Sequence, residues 1–223
     1  MATRETQAKI TSAALELFNQ FGSASVSFDK IAAKAGISKG NLHYHFSSKE
    51  QIVMALWSQL DKKINHVHYS LSDLKISNIS DMLMGHFKLI WDYRFIYSEL
   101  NFILARDPDL QYRFAKERRQ RMAQFSVLLE VVANQNLLQP GVTDCELQRL
   151  VTSVWVISDY WLSHMSAEGK EISYDIMCEG YELIAQLIRP FLIDPSIIDL
   201  PPIPFGAALS FAEPPLIAGG AAG

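Results

Sequence analysis

The chain has only two cysteines in 223 residues, Cys145 and Cys178. Two thiols in apolar helical patterns make no disulfide framework and read as buried free thiols in a reducing compartment. No apolar run reaches the length of a membrane span, because Asp159 interrupts the best one. The opening residues MATRETQAK are polar and do not read as a secretory leader, so a cytoplasmic location is expected. Strand signals are missing before the last thirty residues. Also missing are a nucleophile elbow, a phosphate loop, a dinucleotide fingerprint and a metal cluster of workable spacing. His43 and His45, like His66 and His68, stand two apart, about 200° around a helix, and do not share an ion. Enzyme chemistry, a cofactor and a bound metal are therefore not expected.

Charge of one sign is not in large excess. The net charge of -4 argues against a protein coated in nucleic acid, and the 49% apolar content excludes a disordered chain. The charge is unevenly placed, however. Residues 1–62 hold seven Lys/Arg against five Asp/Glu, a balance of +2. The remainder holds thirteen against nineteen, a balance of -6. A mildly basic head on an acidic body suits a local, salt-sensitive contact with DNA.

What is present is helical periodicity. Ile10, Ala13, Ala14, Leu17, Phe18 and Phe21 form one stripe, which Gly22 ends. Ser27 caps a second helix to about Ala35, with Phe28, Ile31 and Ala32 inward; Gly36 makes a turn that Ile37 plugs. Ser38 caps a third helix to near Phe46. Ser48 with Gln51 reads as a capping box for a fourth, with Ile52, Leu56, Leu60 and Ile64 inward. A polar stretch over 70–80 separates head from body. Five body helices follow, over 81–93, 95–105, 108–134, 144–165 and 174–193, with Thr143 and Glu146 as a second capping box.

The stretch SFDKIAAKAGISKGNLHYHFSSK, from Ser27 to Lys49, carries the chemistry. Two short helices around a glycine turn are a device for placing one helix in the major groove. With Leu42 and Phe46 inward, Gly40 and Tyr44 point outward, flanked by Asn41 and His43. Gly40 allows close approach to bases, and Asn41 pairs with a base edge. Tyr44 packs on a thymine methyl or bonds a phosphate. Ser38, Lys39 and His45 reach phosphates from the edges, and Ser27, Ser48 and Lys49 mark further helix starts that clamp the backbone.

The segments ALELFNQFG, SFDKIAAKAGIS and KGNLHYHFSSKEQI resemble the N-terminal domain of TetR-family transcriptional regulators. The resemblance runs from Ile10 to Trp57. WDYRFIYSELNFILARDPDLQYRF also resembles the body of one regulator subgroup. Tyrosine is usual in the family where this chain has His43. The resemblance implies an all-helical homodimer with a small DNA-binding head and a larger effector-binding, dimerising body.

The expected fold is therefore all-α. A three-helix helix-turn-helix domain spans 1–48, a helical effector-binding and dimerisation domain 49–193, and a Pro/Gly/Ala-rich tail 194–223. Helices 144–165 and 174–193 are apolar over more than one stripe, which suits a core on one side and a second subunit on the other. The tail is either frayed or an arm laid over the body or the partner subunit. The body mixes aromatics with His86, Arg94, Asn101, Asp159 and His164, which suits an apolar effector pocket. Trp91, Trp155 and Asp159 are the candidate contacts. The basic run Arg113, Lys116, Arg118, Arg119 and Arg121 reads as a solvated helix face. The expected function is sequence-specific transcriptional regulation. The expected form is a repressor released from a palindromic double-stranded operator by a small apolar or aromatic molecule. The alternative is an architectural DNA-binding protein without an effector.

Overall fold

The structure, a computed structural model, describes residues 2–69 and 79–198. The break expected over 70–80 falls almost wholly outside these residues, as does the tail beyond Ile198. Among the described residues there are ten α-helices and no strand, only an isolated bridge between Leu138 and Leu192.

The head is α1 (Ala2–Phe21), α2 (Phe28–Ala35) and α3 (Lys39–His45), closed by the first turns of α4 (Lys49–Tyr69). Ile10, Ala14 and Phe18 of α1 meet Ile31 and Ala32 of α2, Leu42 of α3 and Ile52 and Leu56 of α4 in the buried core. Gly22, at φ 77°, ends α1 as expected. Phe21 does not join the core. It is the last residue of α1 and is 49% exposed, with the Lys30 ammonium 5.8 Å over its ring.

The body comprises α5 (Ile79–Asp92), α6 (Arg94–Ser98), α7 (Leu100–Arg106), α8 (Pro108–Asn134), α9 (Asp144–Ala167) and α10 (Tyr174–Ile188). One expected helix over 95–105 is two. Glu99, with φ -109° and ψ 14°, separates α6 from α7, and its carboxylate turns away to accept from the Ser23 amide and hydroxyl. The last helix ends at Ile188 rather than 193. Pro190 has no N–H for the ladder, and the chain tightens into a 3₁₀ turn over Arg189–Phe191. The Thr143–Glu146 capping box is formed in full. At the start of α4, Ser48 accepts from the Gln51 amide, but the Gln51 side chain reaches back to Ser47 N rather than to Ser48.

α9 lies between α6 and α10 and is the centre of the body. Its Ser163 hydroxyl donates to Tyr97 O of α6 at 2.7 Å, and its Trp161 indole donates to Ile176 O of α10 at 2.7 Å. Gly180 makes the second approach possible, since a Cβ there would stand 2.4 Å from Trp161 Cδ1. Cys178 is buried as expected, but Cys145 is exposed, because it sits in the first turn of α9 before that helix enters the core.

Head and body are bonded directly. Asn19 of α1 donates to Asp92 O at 2.8 Å and accepts from Phe95 N at 3.1 Å, satisfying both backbone groups freed where α5 gives way to α6. Trp57 of α4 donates to Glu117 of α8 at 2.7 Å.

Candidate nucleic-acid interface and effector site

The reader is framed by three caps. Ser27 Oγ accepts from Lys30 N at 3.3 Å and starts α2. Gly36, at φ 67°, ends it in the left-handed region, with Gly36 N and Ile37 N closing on Ala33 O and Ala32 O. Ser38 Oγ then accepts from Asn41 N at 3.1 Å and starts α3. With Leu42 and Phe46 buried, the opposite face of α3 is turned to solvent. Tyr44 is 81% exposed, and Gly40, Asn41 and His43 are exposed beside it.

The remaining predicted residues are arranged as follows. The His43 ring stacks on Phe28 of α2 at 4.8 Å and 25°, a contact the helix spacing did not reveal. The His45 ring meets Tyr44 edge-on at 5.2 Å. Ser27 and Ser38 are exposed, and Ser48 is half-buried. Lys39 pairs with Asp29 of α2 at 2.9 Å; both side chains are more than half exposed, so water and salt screen the pair. Lys49 is engaged within the head, donating to Ser23 O at 2.7 Å and to Ala24 O at 3.3 Å. It pins the loop between α1 and α2.

The candidate effector contacts divide. Trp155 and Asp159 lie one turn apart on α9, each 5% exposed. Trp91, on α5, is half-buried and takes other partners: Arg94 lies over its ring at 4.3 Å and Tyr174 meets it edge-on. Arg118 Nε of α8 stands 3.3 Å from Asp159 Oδ2, and Arg121 adds a second positive charge nearby. Arg121 also bonds Asp61 of α4 and lies 3.9 Å from Glu117. Burial outweighs the two arginines and pushes the Asp159 carboxyl up to about 6. Burial also raises Glu117, against the bond from Trp57.

The basic run on α8 is therefore not wholly a solvated face. Arg113, Lys116 and Arg119 are exposed, whereas Arg121 is 6% exposed and Arg118 is half-buried. Leu110 and Phe114 are both buried, and Arg118 and Arg121 continue their stripe at helical spacing. That spacing was the available signal. Of the other polar body residues, Asn101 and His164 are exposed. Two clefts among the described residues lie at the junction of head and body, one lined by Lys49, Phe102 and Arg106, the other by Asn19, Arg94 and Glu171. Neither is lined by Trp91, Trp155 or Asp159. Among the described residues no group of three metal-ligating side chains converges, and no helix is long and apolar enough to cross a membrane.

A capped helix-turn-helix head on an all-helical body defines a DNA-reading regulator. The family model for bacterial regulatory proteins of the tetR family matches residues 10–56, and that for the bacterial transcriptional repressor TetR matches residues 56–196. The chain belongs to the TetR family of bacterial transcriptional regulators, which is not a family of enzymes. Over 51 residues it is 47% identical to the HTH-type transcriptional regulator RutR of Escherichia coli strain K12, covering 23% of this chain and 24% of that protein. Over 64 residues it is 33% identical to the regulator AcrR of Shigella flexneri, covering 29% and 30%. The match thus spans about a quarter to a third of these curated relatives.

The likeness of fold runs further. A crystal structure of a TetR-family transcriptional regulator from Marinobacter aquaeolei VT8 matches with a TM-score of 0.74 at 24% identity, over 83% of this chain and 90% of that one. The transcriptional regulator FadR of Bacillus subtilis, in complex with stearoyl-CoA, matches with a TM-score of 0.55 at 16% identity, over 82% and 98%.

Proposed function

We propose that the protein binds a palindromic operator as a homodimer and represses transcription, and that a small, largely apolar or aromatic effector releases it. The head is residues 1–48, the effector-binding and dimerising body 49–193, and 194–223 a tail; α4 serves both head and body. The observation that carries this reading is the outward face of α3. Gly40, Asn41 and Tyr44 form an exposed, nearly uncharged strip on a helix capped at its start, which is what close reading of base edges requires. Ser27, Ser38, Lys39, His43, His45, Ser48 and Lys49 border it and serve phosphate contact or the placement of the reader.

Val156, Leu183 and Leu187 support the dimer. They are 47%, 38% and 37% exposed on α9 and α10, the two helices whose apolar arcs exceed what one core covers. A two-fold dimer sets half-site centres about 34–36 Å apart or a multiple of that. Selection from random double-stranded DNA, with the stoichiometry of the complex measured on the selected duplex, tests the reading. An inverted repeat holding two protomers is expected. A lone half-site, or no consensus, would overturn it.

A further inference from the structure

The two polar groups on the inner face of α9 lack the partners that buried polar groups ordinarily have. Among the described residues, Trp155 Nε1 is buried with no acceptor, and Asp159 Oδ2 is buried with no donor in hydrogen-bonding geometry. Two other indoles have acceptors: Trp57 donates to Glu117 and Trp161 to Ile176 O. Arg118 Nε lies 3.3 Å from Asp159 Oδ2 yet is itself without a hydrogen bond, so the pair is electrostatic and leaves the oxygen's lone pair open. Buried polar atoms without partners are rare in native proteins and call for an explanation. Here a donor and an acceptor stand on one helix face, a turn apart, with Cβ atoms roughly 5–6 Å from each other.

The surrounding charges decide what kind of molecule fits. Arg118 and Arg121 face Asp159 from α8, Asp61 faces Arg121 from α4, and Glu117 lies beside Arg121 on α8. Tyr97 of α6 lies within electrostatic reach of both Arg121 and Asp159. His86 of α5 meets the Trp155 ring edge-on at 6.1 Å. Arg113 also acts on Glu117, so Asp61, Glu117 and Asp159 are matched by three guanidiniums and no unpaired positive charge is left to hold an acid. Burial raises the Asp159 carboxyl against both arginines, so the site disfavours charge of its own accord.

We propose that Trp155 and Asp159 form the polar subsite for a neutral ligand that carries a carbonyl oxygen beside an N–H, as a carboxamide or lactam does. The indole N–H donates to the carbonyl, and the Asp159 carboxylate accepts from the N–H. This rests on the effector reading above and narrows its chemistry. Asp159 thereby gains a donor without any change in net charge. Trp155 and His86 present ring surface to the apolar remainder of the ligand.

Matched probes test it. Indole-3-acetamide, indole-3-acetate and tryptamine share one apolar body and differ in the polar end; hexanamide, hexanoate and hexylamine do the same on an alkyl chain. Binding is measured by calorimetry on the full chain. The Trp155 indole resonance of 15N-labelled protein, assigned with Trp155→Phe, reports the contact. The amide of at least one series is expected to bind about tenfold or more tighter than its acid and amine, and to move the Trp155 N–H downfield. Trp155→Phe and Asp159→Leu, each checked for an intact fold by circular dichroism, are expected to remove that preference, since neither new side chain can make the bond it replaces. Tighter binding of an acid or amine, or six probes that all leave the Trp155 resonance in place, overturns the proposal. Operator binding is followed on the same samples. An amide that binds at Trp155 without releasing DNA supports the subsite and defeats the effector reading. An acid that releases DNA with Trp155 unmoved does the reverse.

Discussion

Asn41 and Tyr44 have no structural duty in the head. Their side chains point away from a core completed by Leu42 and Phe46, so truncating them leaves folding nearly unchanged. Asn41→Ala and Tyr44→Ala are each expected to cost about 1–3 kcal/mol of specific operator affinity, with unchanged thermal melting. Fluorescence anisotropy on specific and scrambled duplexes checks this; an equal loss on both would move base reading elsewhere. Asp159 is the opposite case, a residue whose charge acts on the fold. Its carboxyl is raised from its ordinary 3.8 to about 6. Between those values the folded chain keeps a proton that the unfolded chain has released. Stability therefore falls as pH rises from about 4 to about 6, then stays at the lower level. Asparagine cannot titrate. Asp159→Asn is thus expected to gain on the wild type across that window by at most about 3 kcal/mol and to hold the gain above it. Urea melts from pH 4 to 8 check the sign; a gain that appears on acidification instead would mean that the arginines, not burial, dominate.

At the scale of the element, the close packing of α9 on α10 depends on one glycine. A methyl at Gly180 would meet Trp161 at 2.4 Å, and that ring is tied to Ile176 O. Gly180→Ala improves helix propensity by ~1 kcal/mol, but overpacking of ~1–3 kcal/mol is expected to outweigh it. Denaturant melts measure the difference, and a stabilised variant would show that Trp161 yields easily. The helices of the head were legible because their signals are local: Ser27, Gly36 and Ser38 stand within a turn of the ends they define. The break at Glu99 was not, because its carboxylate serves Ser23, 76 residues away. The partners of Asp159 were hidden for a related reason. Arg118 and Arg121 sit within a basic run, and only the stripe of Leu110 and Phe114 shows that these two turn inward. The outward face of α3 was readable from spacing alone, but the stacking of His43 on Phe28 was not, since it needs the angle between two helices.

Over the whole molecule, Val156 of α9 and Leu183 and Leu187 of α10 stand uncovered on the two helices that pack most closely on each other. Leu187→Asp is expected to yield monomers or aggregates and to abolish binding to a full operator while keeping helical content. Light scattering with circular dichroism decides it, and an unchanged dimer would place the interface on another face.

The buried cluster that starts at Ile10 in the head reaches Ile198 at the end of the body without interruption. Ile52, Leu56 and Leu60 of α4 belong to both ends of it. Opening the deepest amides of the head therefore requires the body to open as well. A molecule bound far from DNA raises the cost of that opening by mass action alone, by about 2.7 kcal/mol at a hundredfold excess over its dissociation constant. In deuterated water the Leu56 amide should then exchange about a hundredfold more slowly. Isotope uptake at the base of the reader would register occupancy of the body without any operator present.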